Sequence, residues 1–202
     1  DSLVVSCLPR KSVPVPKYTW STAERKDSKD SVNVVFNRRV NIDEEGNLYF
    51  SYVTPEDAKN GFLYKCNVLN PTLDLTAGGS YSTIQVQNDR NAPDIRPENL
   101  YHTGKGAEVI ALKGKEQRLK CLFKGKPEVK INWKQNGGSV VNGRVESYST
   151  ELVMEKVELS DEATYTCTGS NSMGHRDQDI KLKVEVIPEF ENRNNGPTNK
   201  NV

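Results

Sequence analysis

One pattern occurs twice in this chain, and it constrains the fold more than any other feature. Leu48-Tyr49-Phe50, Val53, Asp57-Ala58, Tyr64 and Cys66 recur as Leu152-Val153-Met154, Val157, Asp161 with Ala163, Tyr165 and Cys167. The second copy follows at an offset of 104 residues at Leu48, Val53 and Asp57, and of 101 at the cysteines, so the first carries three extra residues around Asn60-Gly61-Phe62. Upstream, Cys7 precedes Trp20 by thirteen residues and Cys121 precedes Trp133 by twelve. Each unit therefore reads Cys, Trp, Leu, Asp, Tyr-x-Cys, and 202 residues accommodate two such units, each able to bury its own core.

Between these landmarks the apolar period is two. Leu3, Val5 and Cys7 alternate with Ser2, Val4 and Ser6, Val129, Ile131 and Trp133 alternate with Lys130 and Asn132, and Ile180, Leu182, Val184 and Val186 repeat the pattern. Such alternation sets one face of a strand on a core and the other in water, and no sustained 3.6-residue stripe competes with it. Four cysteines permit three pairings by counting alone. Short strands with a Cys…Trp…Cys spacing are the marks of an immunoglobulin-like sandwich, in which the two cysteines of a unit face each other from opposite sheets. That reading pairs Cys7 with Cys66 and Cys121 with Cys167, with Trp20 and Trp133 packed on the bridges. Tyr64 and Tyr165 are expected to turn their hydroxyls back onto the preceding corner, and Arg39–Asp57 and Arg144–Asp161 to form structural ion pairs.

Both units resemble the I-set class of immunoglobulin domains, most clearly in Asp161-Glu-Ala-Thr-Tyr-Thr-Cys167 and in Asn171-Ser-Met-Gly174. A closer resemblance is to the second and third immunoglobulin domains of the L1/neuroglian family of neural adhesion molecules. It is carried by Arg38-Arg-Val, Glu45-Gly-Asn-Leu-Tyr-Phe-Ser51, Val53, Glu56-Asp-Ala58 and Ala111-Leu-Lys-Gly114 leading to Cys121. The resemblance implies an all-β chain of two tandem sandwiches joined by a long hinge and folded back on itself. The expected boundaries are 1–88 for a first domain lacking most of its first strand, 89–107 for a hinge rich in Asn, Pro and Gly, and 108–187 for the second domain. Residues 188–202, Asn-rich and polar, are expected to be a disordered tail or the start of a further domain.

Catalysis finds little to work with. His102 and His175 have no nucleophile and orienting carboxylate within their motifs, and His175-Arg176-Asp177 lacks every companion of a kinase catalytic loop. No enzyme, metal or cofactor is expected. Asp43-Glu44-Glu45 suggests calcium only weakly, since the run precedes a Gly-Asn turn of the kind that charged residues occupy in water. With 28 Lys+Arg against 27 Asp+Glu, the chain has no field for nucleic acid. Asn70-Pro71-Thr72 is blocked as a glycosylation acceptor by its proline.

Binding surfaces remain. Leu73 and Leu75 lie in a hairpin loop where polar residues are expected, and Phe62 lies in the three-residue insertion; all three are candidate contacts for a protein partner. Lys113, Lys115, Arg118, Lys120, Lys124 and Lys126 form a basic stripe that suits heparan sulfate or another acidic partner. The expected function is that of an extracellular adhesion or recognition module. Its partner is the same molecule on an opposing cell or another surface protein, its parent is anchored in the plasma membrane beyond this segment, and its role is in neuronal adhesion and axon or dendrite guidance. A secreted immune-recognition protein of the hemolin kind, or the ectodomain of a receptor kinase or phosphatase, are the alternatives.

Overall fold

Alternating strands bury one face each, and the computed structural model resolves how they pair. It describes residues 1–7, 16–24, 26, 30–73, 75–87, 92–145 and 149–187. The first unit is built from β1 (Leu3–Val5), β2 (Lys17–Ala23), β3 (Val32–Asn33), β4 (Val40–Ile42), β5 (Leu48–Phe50), β6 (Leu63–Asn70) and β7 (Leu75–Thr83). Its two sheets have the orders β1-β5-β4 and β3-β2-β6-β7. Val5, Trp20, Val40, Leu48, Phe50, Tyr64 and Ile84 fill the space between them around the Cys7–Cys66 disulfide.

The second unit comprises β8 (Ile95–His102), β9 (Val109–Leu112), β10 (Gln117–Lys126), β11 (Lys130–Gln135), β12 (Arg144–Val145), β13 (Glu151–Met154), β14 (Ala163–Asn171) and β15 (Gly174–Glu185). Its sheets run β12-β13-β10-β8 and β11-β14-β15-β9, and all pairings are antiparallel except β15 with β9. Leu119, Phe123, Trp133, Leu152, Met154, Tyr165, Ile180 and Leu182 enclose the Cys121–Cys167 disulfide. This is the all-β tandem of immunoglobulin-like sandwiches that the repeat implies, with helix limited to short 3₁₀ turns such as Pro55–Gly61 and Leu159–Asp161.

Within the segment expected as a hinge, 89–107, residues Ile95–His102 form the strand β8, paired with β10. Register shifts at Leu122/Phe123 and Lys124/Lys126 break the inside–outside alternation that would reveal it, so Leu100 and Tyr101 stand next to each other without a polar spacer. Pro97 is tolerated because β8 is an edge of its sheet. Residues 188–202, expected as a tail, lie outside the described residues.

Candidate interaction surfaces

At the lower corner of the first sandwich, the Arg39 guanidinium grips the Asp57 carboxylate through two bonds of 2.7 and 2.9 Å, and Arg39 also donates to the Tyr52 carbonyl. Thr54 donates to the same carboxylate from its backbone and its hydroxyl. The Tyr64 hydroxyl donates to the Asp57 carbonyl, and that of Tyr165 to the Asp161 carbonyl. Burial, reinforced by the neighbouring aspartate, pushes both phenols up to about 12. In the second sandwich the Asp161 carboxylate accepts from Asn142 Nδ2 and from the Glu158 backbone, each at 2.7 Å. The Arg144 side chain, expected to pair with Asp161, lies outside the described residues. These clusters hold the sandwiches together and face no cleft.

The two sandwiches meet along one sheet face of each. Leu122 and Val153 point away from their own core, since Cys121, Phe123, Leu152 and Met154 on either side point into it, yet they are only 2% and 1% exposed. Around them several polar contacts cross to the first sandwich. Lys120 Nζ lies 2.7 Å from the Ile42 carbonyl, 3.3 Å from Asn41 Oδ1 and 2.6 Å from Glu151 of its own sheet. Asn41 donates to the Thr150 hydroxyl, Ser51 to the Phe123 carbonyl at 2.6 Å, and Thr103 to Glu44. The rings of Tyr49 and Tyr101 meet at a tilt across the junction, 5.8 Å between centroids. Asp43 accepts from Asn47 and Tyr49 and is buried, whereas Glu45 reaches Lys105. The run expected to be a solvated turn is therefore part of this junction, and among the described residues no cluster of three or more His, Cys, Asp or Glu could hold a metal ion.

Most of the basic stripe is ion-paired or buried. Lys113 pairs with Glu158, Arg118 with Glu116 and Glu151, and Lys124 with Glu98, whose carboxyl that bond holds below its usual range. Lys126 caps the Ala92 carbonyl, and Lys120 is buried in the junction, which leaves Lys115 the exposed member without an ion pair among the described residues. Sequence order displays the lysines, whereas the acids that neutralise them come from other strands.

The hairpin of β6 and β7 is the opposite case. Leu73 and Leu75 are 63% and 62% exposed, so neither packs onto a sandwich. Strand β7 is an outer edge of its sheet, and Leu75, Thr76, Ala77 and Gly78 are all exposed. From Leu75 to Gln87 the chain has no charged residue and no proline. Phe62, half-buried, lines a separate cleft of about 420 Å³ with Ala23 and Val32.

Two facing cysteines pinned beneath a tryptophan in each of two β-sandwiches leave one fold, and residues 102–184 match the Immunoglobulin I-set domain family. Both sandwiches have the immunoglobulin-like fold, and the second carries the I-set match. Its relatives include the human neural cell adhesion molecule L1-like protein, 27% identical over 94% of this chain, and Drosophila melanogaster neuroglian, 28% identical over 94%. The chain spans only 16% and 15% of those two proteins. Among solved structures, the insect immune protein hemolin superposes with a TM-score of 0.79 at 25% identity, over 94% of this chain and 50% of hemolin. That structure was described as a new domain arrangement with implications for homophilic adhesion. The chain is thus similar to one stretch of these neural adhesion molecules and to hemolin, and its two disulfides are of the kind that persist in oxidising, extracellular surroundings.

Proposed function

We propose that this immunoglobulin tandem mediates homophilic adhesion, with the outer edge of β7 as the contact and a second copy of the chain as the partner. The observation that carries this reading is a contrast between two equivalent strands. In the second sandwich, β15 holds the same position, and the part of its edge not covered by β9 carries His175, Arg176, Asp177, Asp179 and Lys181. Charge along a strand edge is how sandwich proteins prevent accidental pairing. Strand β7 lacks that protection over its full nine residues. Antiparallel pairing of two β7 edges about a two-fold axis joins two four-stranded sheets into one.

Relatives named as neural cell adhesion molecules support adhesion as the role of the whole protein; a parent anchored in the neuronal plasma membrane and acting in axon or dendrite guidance is the wider role that this reading proposes. The similarity to hemolin favours a secreted immune-recognition parent as the second reading. Beads coated with the chain test the contact directly. They are expected to aggregate, and the exposed substitutions Thr76→Lys and Ala77→Lys together are expected to abolish aggregation without changing the melting temperature. Aggregation that survives both substitutions removes β7 as the contact. Beads that never aggregate remove homophilic adhesion and leave a heterologous partner.

A further inference from the structure

The junction covers one sheet of the second sandwich and leaves the opposite one open. On that open face, β11, β14 and β15 lie side by side, with lysines on β11, hydroxyls on β14 and both aspartates and a lysine on β15. Trp133, Cys167 and Ile180 turn inward, so Lys130, Asn132 and Lys134 of β11, Thr166 and Thr168 of β14, and Asp177 and Asp179 of β15 turn outward. The register aligns them in rows: Lys134 beside Thr166 beside Asp179, and Asn132 beside Thr168 beside Asp177. Both threonine hydroxyls donate to their aspartates at 2.7 Å, which fixes the carboxylates in place. Lys134 is exposed and makes no ion pair among the described residues.

Within one chain Lys134 and Asp179 stand in the same row but two strands apart, beyond pairing distance. Lys130 shares the outward face of β11 with Lys134, and on β15 Asp177 and Asp179 are followed on the same face by Lys181. A partner that sets an acid over Lys134 and a lysine over Asp179 satisfies both, and this chain is itself such a partner. Rotation about a two-fold axis parallel to β14 exchanges the positions of β11 and β15 but keeps every residue in its row. Lys134 of one copy then faces Asp179 of the other, and Asn132 faces Asp177, twice per dimer. An axis perpendicular to the strands would set lysine against lysine, so the charges select one geometry.

We propose that the open face of the second sandwich is a lateral self-association surface, in which two copies pack parallel through reciprocal Lys134–Asp179 pairs. Facing sheets stand about 10 Å apart, a gap that an extended lysine and an aspartate bridge together. Strand direction is preserved by the rotation, so the two copies point the same way, as neighbours on one cell surface do. The β7 contact reverses strand direction and suits copies that approach from opposite sides. The face is three strands wide and well below the roughly 800 Å² per partner of a stable complex, so it acts where copies are concentrated side by side.

The test uses sedimentation of the full chain carrying Thr76→Lys and Ala77→Lys, which silences the β7 edge. At low ionic strength this protein is expected to dimerise reversibly, and 0.5 M salt, roughly, to dissociate it because exposed pairs are screened. Lys134→Asp alone and Asp179→Lys alone are each expected to weaken association by more than about tenfold, since each turns two attractions into repulsions. Mixed one to one, the two variants are expected to associate again. In the mixed dimer the introduced aspartate of one copy faces the introduced lysine of the other, and the unaltered Asp179 faces the unaltered Lys134, so both contacts again join opposite charges. A mixture no more associated than its components overturns the proposal, as does a parent that stays monomeric at millimolar concentration. Neither result bears on the β7 contact, which the bead assay reads separately.

Discussion

The ammonium of Lys120, on the second sandwich, lies 2.7 Å from the carbonyl oxygen of Ile42 on the first. Lysine is seldom as buried as this one, at 9% exposed, and it is tolerated because Asn41, Ile42 and Glu151 satisfy all three of its N–H donors. Replacement by alanine removes the link and takes a donor from the Ile42 carbonyl and from Asn41 Oδ1, the latter keeping the Ile42 N–H. The expected cost is roughly 2 kcal/mol, below that of breaking a fully buried pair because Glu151 keeps Arg118 as a partner. Small-angle scattering is expected to show a larger radius of gyration for Lys120→Ala, and calorimetry two separate transitions in place of a coupled one. An unchanged scattering profile would show that Leu122, Val153 and Tyr101 hold the junction by packing alone.

Within the first sandwich, Arg39 is the donor that balances a buried carboxylate. Its replacement by methionine keeps much of the packing against Phe50 and Tyr52 but strands Asp57, whose remaining donors come from Thr54. A loss of about 3 kcal/mol is expected from urea unfolding, confined to the transition of the first sandwich. Arg39→Met/Asp57→Leu is expected to recover part of it, because the uncompensated charge is gone.

Alkali should act through the two corner tyrosines. Tyr64 and Tyr165 titrate near 12 in the folded chain against about 10 in an unfolded one, so the folded state favours their neutral forms. The stability this contributes is fully present below pH 10 and is lost as pH rises through 12. Absorbance of tyrosinate is expected to show a late-ionising set, Tyr64 and Tyr165 together with Tyr49 and Tyr101, whose phenols burial also raises, that ionises only as near-ultraviolet dichroism collapses. Tyr64→Phe and Tyr165→Phe should each remove one phenol from that set. Variants that instead lose a phenol titrating near pH 10 would contradict the buried hydroxyl contacts.

Much of the fold was legible in sequence because its determinants are local and repeated. A cysteine, a tryptophan and a Tyr-x-Cys at matching intervals demand two facing sheets, and period-two alternation supplies the strands. The junction was not legible, for a physical reason. Asn41, Ser51, Thr103 and Thr150 are small polar residues on strands or turns, indistinguishable in sequence from solvent-facing positions until a second sheet is laid on them. Lys120 read as one of a basic stripe for the same reason, since its partners lie on other strands, two of them in the other sandwich. Strand β8 was hidden by bulges that disturb its alternation. Leu73 and Leu75 were visible as apolar residues in a loop, but only the exposed edge beside them shows what they could serve.

Gly169 on β14 offers the most local test of how the second core is packed. A Cβ built there falls 2.6 to 2.8 Å from three carbons of the Phe123 ring, far inside van der Waals contact. Phe123 is fully buried beside the disulfide, on the strand of the opposite sheet, so the ring lies flat on the glycine backbone and has no room to retreat. Gly169→Ala is therefore expected to destabilise the second sandwich by about 1–3 kcal/mol through overpacking, even though alanine is the better strand residue. The effect should vanish when the ring is trimmed: Gly169→Ala/Phe123→Leu is expected to be no less stable than Phe123→Leu alone, a coupling that a double-mutant cycle measures. Additive losses would mean that the glycine is kept for its backbone and not for the ring above it.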